Sequence, residues 1–102
     1  MEIMTFQYKA SKVLPRRAHV GVVGSGDLEI LIEPIEVNEA KVLVRTRFDG
    51  YQQVWQKLLD RFFAEHDLKV NIEINDFGAT PGLISMRLLQ ALEVSYRETD
   101  EA

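Results

Sequence analysis

Residues able to do chemistry are few in this chain, and one short segment stands apart. Gly24-Ser25-Gly26-Asp27 sets a hydroxyl between two residues without side chains, followed by an acid. Such a segment reads first as a hairpin turn, because Gly permits positive φ and Ser and Asp are common turn formers. The other reading is that Ser25 sits at a hairpin tip, accessible from several directions. That suits a covalently attached group and the enzyme that attaches it. No base is in place to activate Ser25 as a nucleophile: there is no Gly-x-Ser-x-Gly elbow and no recognisable order of serine, histidine and acid. His19 and His66 are the two histidines, and neither has a partner at metal-ligand spacing, so no metal site is expected. His66 falls at the expected end of a helix, where an imidazole can meet the last carbonyls. Asp76-Phe77-Gly78 copies the kinase metal-binding triplet without the phosphate loop or the length a kinase needs. Its plainer reading is a strand-to-helix connection in which Gly78 takes an unusual φ. The stretch Asn75 to Gly82 is long enough to serve as a contact loop.

Composition narrows the classes further. The 102 residues are 46% hydrophobic and 27% charged, which fits one domain over residues 1–102. Twelve Lys and Arg against sixteen Asp and Glu give a net charge of −4, which speaks against nucleic-acid binding. There is no cysteine, so disulfides, thiolate metal sites and a cysteine nucleophile are excluded. Any thioester sulfur has to arrive on an attached group. The start of the chain lacks the basic and apolar regions of a secretory signal, and no apolar run approaches a membrane span. A cytoplasmic protein is therefore expected. Residues 1–17 are mostly basic in charge and the last ten mostly acidic, and both ends (1–17 and 97–102) are expected to be loosely held.

Hydrophobic periodicity supplies the elements that must position Ser25. Met4, Phe6 and Tyr8 alternate as a short edge strand would. Ala18 to Val23 and Leu28 to Glu33 are β-rich runs joined by the Gly24–Asp27 link, which predicts a hairpin ended by Pro34. Lys41 to Phe48 predicts a third strand, with Val42, Val44 and Phe48 on one face. Tyr51, Val54, Trp55, Leu58, Leu59, Phe62 and Phe63 then fall on one helical stripe, and Asp49 with Gln52 resembles a capping box that would start the helix there. Trp55 on this stripe reads as core. Val70, Ile72 and Ile74 predict a fourth strand, parallel to the third through a right-handed crossover. Thr80 and Pro81 open a second helix marked by Ile84, Leu88, Leu92 and Tyr96. The order ββ-β-α-β-α predicts an α+β two-layer sandwich, one mixed sheet with both helices on one face. Leu31 and Leu43 fall on the otherwise charged strand faces. If they meet across neighbouring strands they could seed a docking patch.

Three segments together carry a family resemblance: Val20-Gly-Val-Val-Gly-Ser-Gly-Asp-Leu-Glu29, the helix around Trp55, and Asn75-Asp-Phe-Gly-Ala-Thr-Pro-Gly82. They resemble the acyl carrier, or δ subunit, family of malonate decarboxylase, over Val20 through Leu92. The citrate lyase carrier (γ) subunit is similar more distantly, through Ser-Gly-Asp. The resemblance implies a carrier subunit rather than a catalyst. It implies 2′-(5″-phosphoribosyl)-3′-dephospho-coenzyme A joined to Ser25 by a phosphodiester. The thiol of that group would hold acetyl and malonyl in turn while malonate is decarboxylated to acetate and CO2. Implied partners are the acyltransferase (α) and carboxylase (β, γ) subunits and a prosthetic-group transferase. Asp27 is expected to orient Ser25 or its turn, and Arg16 or Arg17 to lie near the prosthetic phosphates. The alternatives are a citrate-lyase-type carrier or a subunit that only interacts non-covalently.

Overall fold

The computed structural model describes residues 1–21 and 28–97. Its elements are β1 (Glu2–Lys9), β2 (Lys12–Val13), β3 (Ala18–Val20), β4 (Leu28–Pro34), β5 (Glu39–Thr46), α1 (Gln52–Glu65), β6 (Leu68–Asp76) and α2 (Pro81–Tyr96). The main sheet runs β1-β5-β6-β4-β3, with β2 beside the start of β6. β5 and β6 are parallel, and α1 is the crossover between them. The other neighbours on the main path, β1 with β5, β4 with β6 and β3 with β4, are antiparallel. The mixed sheet and two helices are the α+β arrangement expected.

Alternation decides the layering. Leu28, Ile30 and Ile32 on β4, Ala40, Val42 and Val44 on β5, and Val70, Ile72 and Ile74 on β6 are all buried. The residues between them face the other way and keep solvent contact. Trp55, Leu59 and Phe62 of α1 and Ile84, Leu88 and Leu92 of α2 cover the apolar face. Thr80 caps α2 as its type predicts, its hydroxyl accepting from the Leu83 N–H at 3.2 Å, and Pro81 follows at the first turn.

The N-terminal segment departs from expectation. Residues 1–17 are tied down, because β1 pairs with β5 over eight residues, from Glu2↔Thr46 to Lys9↔Glu39. Met4, Phe6, Ala10 and Leu14 enter the core. Tyr8 stacks on Phe63 with centroids 4.6 Å apart and donates to Asp60 Oδ1 at 2.8 Å. Burial and the Asp60 carboxylate push the Tyr8 phenol pKa upward. Of the basic residues that suggested a loose arm, Lys9, Lys12 and Arg17 are exposed, and Arg17 pairs with Glu33 at 2.8 Å. At the other end, residues 98–102 lie outside the described ones.

The β5–α1 junction also differs. β5 ends at Thr46, and Phe48 lies beyond it, 45% exposed rather than inward. The Asp49–Gln52 capping box does not form. Gly50 has φ +88, which a right-handed helix excludes, and its N–H donates to Glu2 Oε1 at 3.2 Å. The helix starts at Gln52, with Tyr51 as an N-cap that makes no side-chain bond.

Candidate functional site

Ser25 lies outside the described residues, as do Asp27 and the expected strand end at Val22–Val23, but the chain is defined on both sides of them. β3 and β4 pair antiparallel from Ala18↔Ile32 to Val20↔Ile30, which is the stem of the expected hairpin. Immediately beyond it, Gly21 adopts φ +88 and faces the backbone of Leu28. A Cβ on Gly21 would stand 2.1 Å from the Leu28 carbonyl oxygen, so only glycine fits there. Leu28 is itself buried and lies across from Asp76 at the end of β6. The segment that carries Ser25 is therefore anchored at the sheet end where β5 and β6 also finish.

Asp76 organises that end. Its Oδ2 accepts from the Thr46 hydroxyl at 2.8 Å, and its Oδ1 accepts from the Gly78 and Ala79 N–H groups at 3.1 and 2.9 Å. Both Asp76 and Thr46 are buried, so the bond between them is made away from water and matters accordingly. The carboxylate turns the chain from strand to helix, with Gly78 at φ +138. The Asp-Phe-Gly triplet is thus a strand-to-helix latch. Next to it opens a groove of about 330 Å³, walled by Phe48, Tyr51, Val54, Trp55, Pro81 and Ile84. Asp76, Gly78 and Ala79 complete its lining. Trp55 is core, as its stripe predicts, and also faces this groove. Sequence reasoning placed Phe48, Tyr51 and Val54 in the interior. The signal it passed over was Gly50, which detaches the start of α1 from the strand before it.

On the solvated sheet face a polar chain crosses four strands. His19 Nε2 lies 2.8 Å from Glu29 Oε2, Asn75 donates to Glu29 Oε1 at 2.9 Å, and Arg45 donates to Asn75 at 3.3 Å. The Asn75 and His19 bonds hold the Glu29 carboxyl below the usual range. Leu31 and Leu43 do not meet. Each sits across from Glu73 on β6, which keeps them a strand apart. Arg16 and Arg17 precede β3, so Arg17 stands about 13 Å of strand from Gly21, at the far end of the stem, where it pairs with Glu33. His66 closes α1, its N–H donating to the Phe62 carbonyl at 2.9 Å. Among the described residues no group of His, Asp or Glu is arranged to hold a metal. His19 and Glu29 engage each other.

Comparison with known proteins identifies the family and agrees with the fold. A family model for the malonate decarboxylase delta subunit, an acyl carrier protein, matches residues 15–95. The malonate decarboxylase acyl carrier protein of Stutzerimonas stutzeri is 46% identical over 94 residues, 91% of this chain and 95% of that one. That of Azotobacter vinelandii is 44% identical over the same shares. A chain in the crystal structure of a Pseudomonas malonate decarboxylase hetero-tetramer in complex with malonate matches with a TM-score of 0.85 and 41% identity, covering 92% of this chain and 98% of that one. The chain therefore belongs to the malonate decarboxylase delta subunit family of acyl carrier proteins.

Proposed function

We propose that this chain is the acyl-carrying subunit of a malonate decarboxylase, and that Ser25 bears 2′-(5″-phosphoribosyl)-3′-dephospho-coenzyme A through a phosphodiester. The observation that carries this reading is the family match across residues 15–95, which includes both Ser25 and the stem that holds its segment. The stem suits the group. Gly21 and Leu28 approach so closely that the segment's ends are fixed together at one end of the sheet, and the intervening hydroxyl belongs to the one serine between them. When bound, the group supplies the thiol that holds an acyl unit as a thioester, which a chain without cysteine cannot provide.

The chain's own residues position and do not react. Gly21 and Leu28 hold the stem, and Asp76 fixes the sheet end beside it. Loading falls to a separate prosthetic-group transferase, and the acyl chemistry falls to the acyltransferase (α) and carboxylase (β, γ) subunits. A tethered thioester reaches successive sites at high effective concentration, which is what a small carrier contributes. The reaction served is decarboxylation of malonate to acetate and CO2, placed in the cytoplasm. Among the described residues no helix is long and apolar enough to cross a membrane.

Intact mass tests the reading. The chain produced with active loading enzymes should gain the mass of the phosphoribosyl-dephospho-coenzyme A group, and Ser25→Ala should not. An unmodified wild-type chain under those conditions would remove Ser25 as the attachment point. The isolated loaded chain should release no CO2 from malonate until the other subunits are added.

A further inference from the structure

The groove beside Asp76 has no role in the proposal above, yet it opens at the same pole as the attachment segment. Leu28, the first described residue after that segment, pairs with Asp76, and Asp76 lines the groove. Paired strands lie about 4.8 Å apart. Three residue steps separate Ser25 from Leu28 and can span at most about 11 Å. The attachment point is therefore within about 16 Å of Asp76 however the segment is shaped. The arm carries a ribose, a nucleotide and a pantetheine chain in series, so reach does not limit it.

We infer that this groove is a resting site for the sulfur-bearing end of the prosthetic arm, an inference that rests on Ser25 being its attachment point. The groove's volume, about 330 Å³, is within the usual small-molecule range of roughly 300–1,000 Å³. Its walls are aromatic and aliphatic, and three of them are unusually open: Phe48 at 45%, Tyr51 at 53% and Val54 at 39% exposure. An uncharged, amide-linked aliphatic chain matches those walls. Tethering supplies an effective concentration of about 1 mM, so even a weak site would be substantially filled.

The lining also selects by charge. It contains one carboxyl group, that of Asp76, and no cation, and Asp76 already accepts from Thr46, Gly78 and Ala79. A free thiol or an acetyl thioester is neutral and enters. A malonyl thioester would have to bury a second carboxylate against apolar walls beside Asp76, so it stays outside. The arm is sheltered when it carries acetyl and exposed when it carries malonyl.

Trp55 is the single tryptophan of the chain, so its emission reports on this groove directly. The experiment uses the full chain, loaded by its own enzymes and verified by intact mass, beside the unloaded chain. Loading should change Trp55 emission. It should also slow reaction of the arm's thiol with a disulfide reagent about twofold or more relative to free coenzyme A. Val54→Asp, at an exposed position in the first turn of α1 where an acid suits the helix, should abolish both effects with an unchanged thermal melt. Tyr51→Ser should do the same in part. Acetylated arm should retain the emission change and malonylated arm should lose it. Unchanged Trp55 emission together with a thiol as reactive as free coenzyme A, on a chain of the loaded mass, overturns the groove alone. A chain that gains no mass overturns the attachment at Ser25 and the arm as occupant together.

Discussion

The same helix, α1, faces two different surroundings. Around its middle, Leu59 meets an interior in which Ile72 and Ile74 of β6 and Leu88 of α2 are at most 1% exposed. At its start, Tyr51 and Val54 project past the end of β5 and stay open beside Phe48. Both stretches belong to one apolar stripe. The period of a stripe states which side of a helix is apolar. Whether anything covers that side depends on how far the sheet extends beneath it. Here the sheet stops at Thr46 and Asp76, and Tyr51 and Val54 are left open.

Replacing residues at the two places should separate their roles. Ile74→Ala removes a fully buried side chain from the sealed region and should cost about 2–5 kcal/mol in denaturant unfolding. Loading of the molecules that remain folded should be unaffected, and a small cost would mean the interior can collapse around the gap. At the pole, Gly21→Ala should cost about 1–3 kcal/mol from backbone strain, with the clash against Leu28 added to it. It should also slow loading, which intact-mass time courses would show. Loading at the wild-type rate would mean the transferase does not depend on the stem.

A smaller effect separates the latch from its helix. Thr80→Ala removes the hydroxyl that accepts from Leu83 and should cost about 1 kcal/mol, leaving the groove's Trp55 emission in place. The smallest effect is on the solvated face. Glu29 titrates below its ordinary range in the folded chain because Asn75 and His19 bond its ionised form. The stabilisation is therefore present above the ordinary carboxylate range and is lost as pH falls through the lowered folded value. Asn75→Ala removes the larger of the two causes, so its acid unfolding profile should be shallower than that of the wild type. Superimposable profiles would show that the Glu29 chain contributes nothing to acid stability.

Regions legible in advance were those decided by near neighbours in the chain. The alternation of Val70, Ile72 and Ile74 has a period that only a one-sided strand satisfies. The Thr80-Pro81 start needs nothing but its own hydroxyl and ring. The order of elements then followed, and with it the parallel pair joined by α1. Ser25 stood out because of its flanking glycines and the family resemblance around it. The groove was not legible, because each of its walls fits an ordinary core pattern when viewed alone.

Local chemistry thus determined the strands, the α2 cap, the α+β order and the Gly-Ser-Gly-Asp segment proposed to carry the attachment serine. These follow from backbone geometry and the spacing of apolar side chains, which act over a few residues. Tertiary structure decided the rest. It brought β1 beside β5 and so tied down a basic N-terminal segment, set Glu73 between Leu31 and Leu43, and joined Leu28, Thr46 and Asp76 at one pole. Those placements depend on which strands become neighbours across dozens of residues. That is settled only when the sheet and its crossover close over a shared interior.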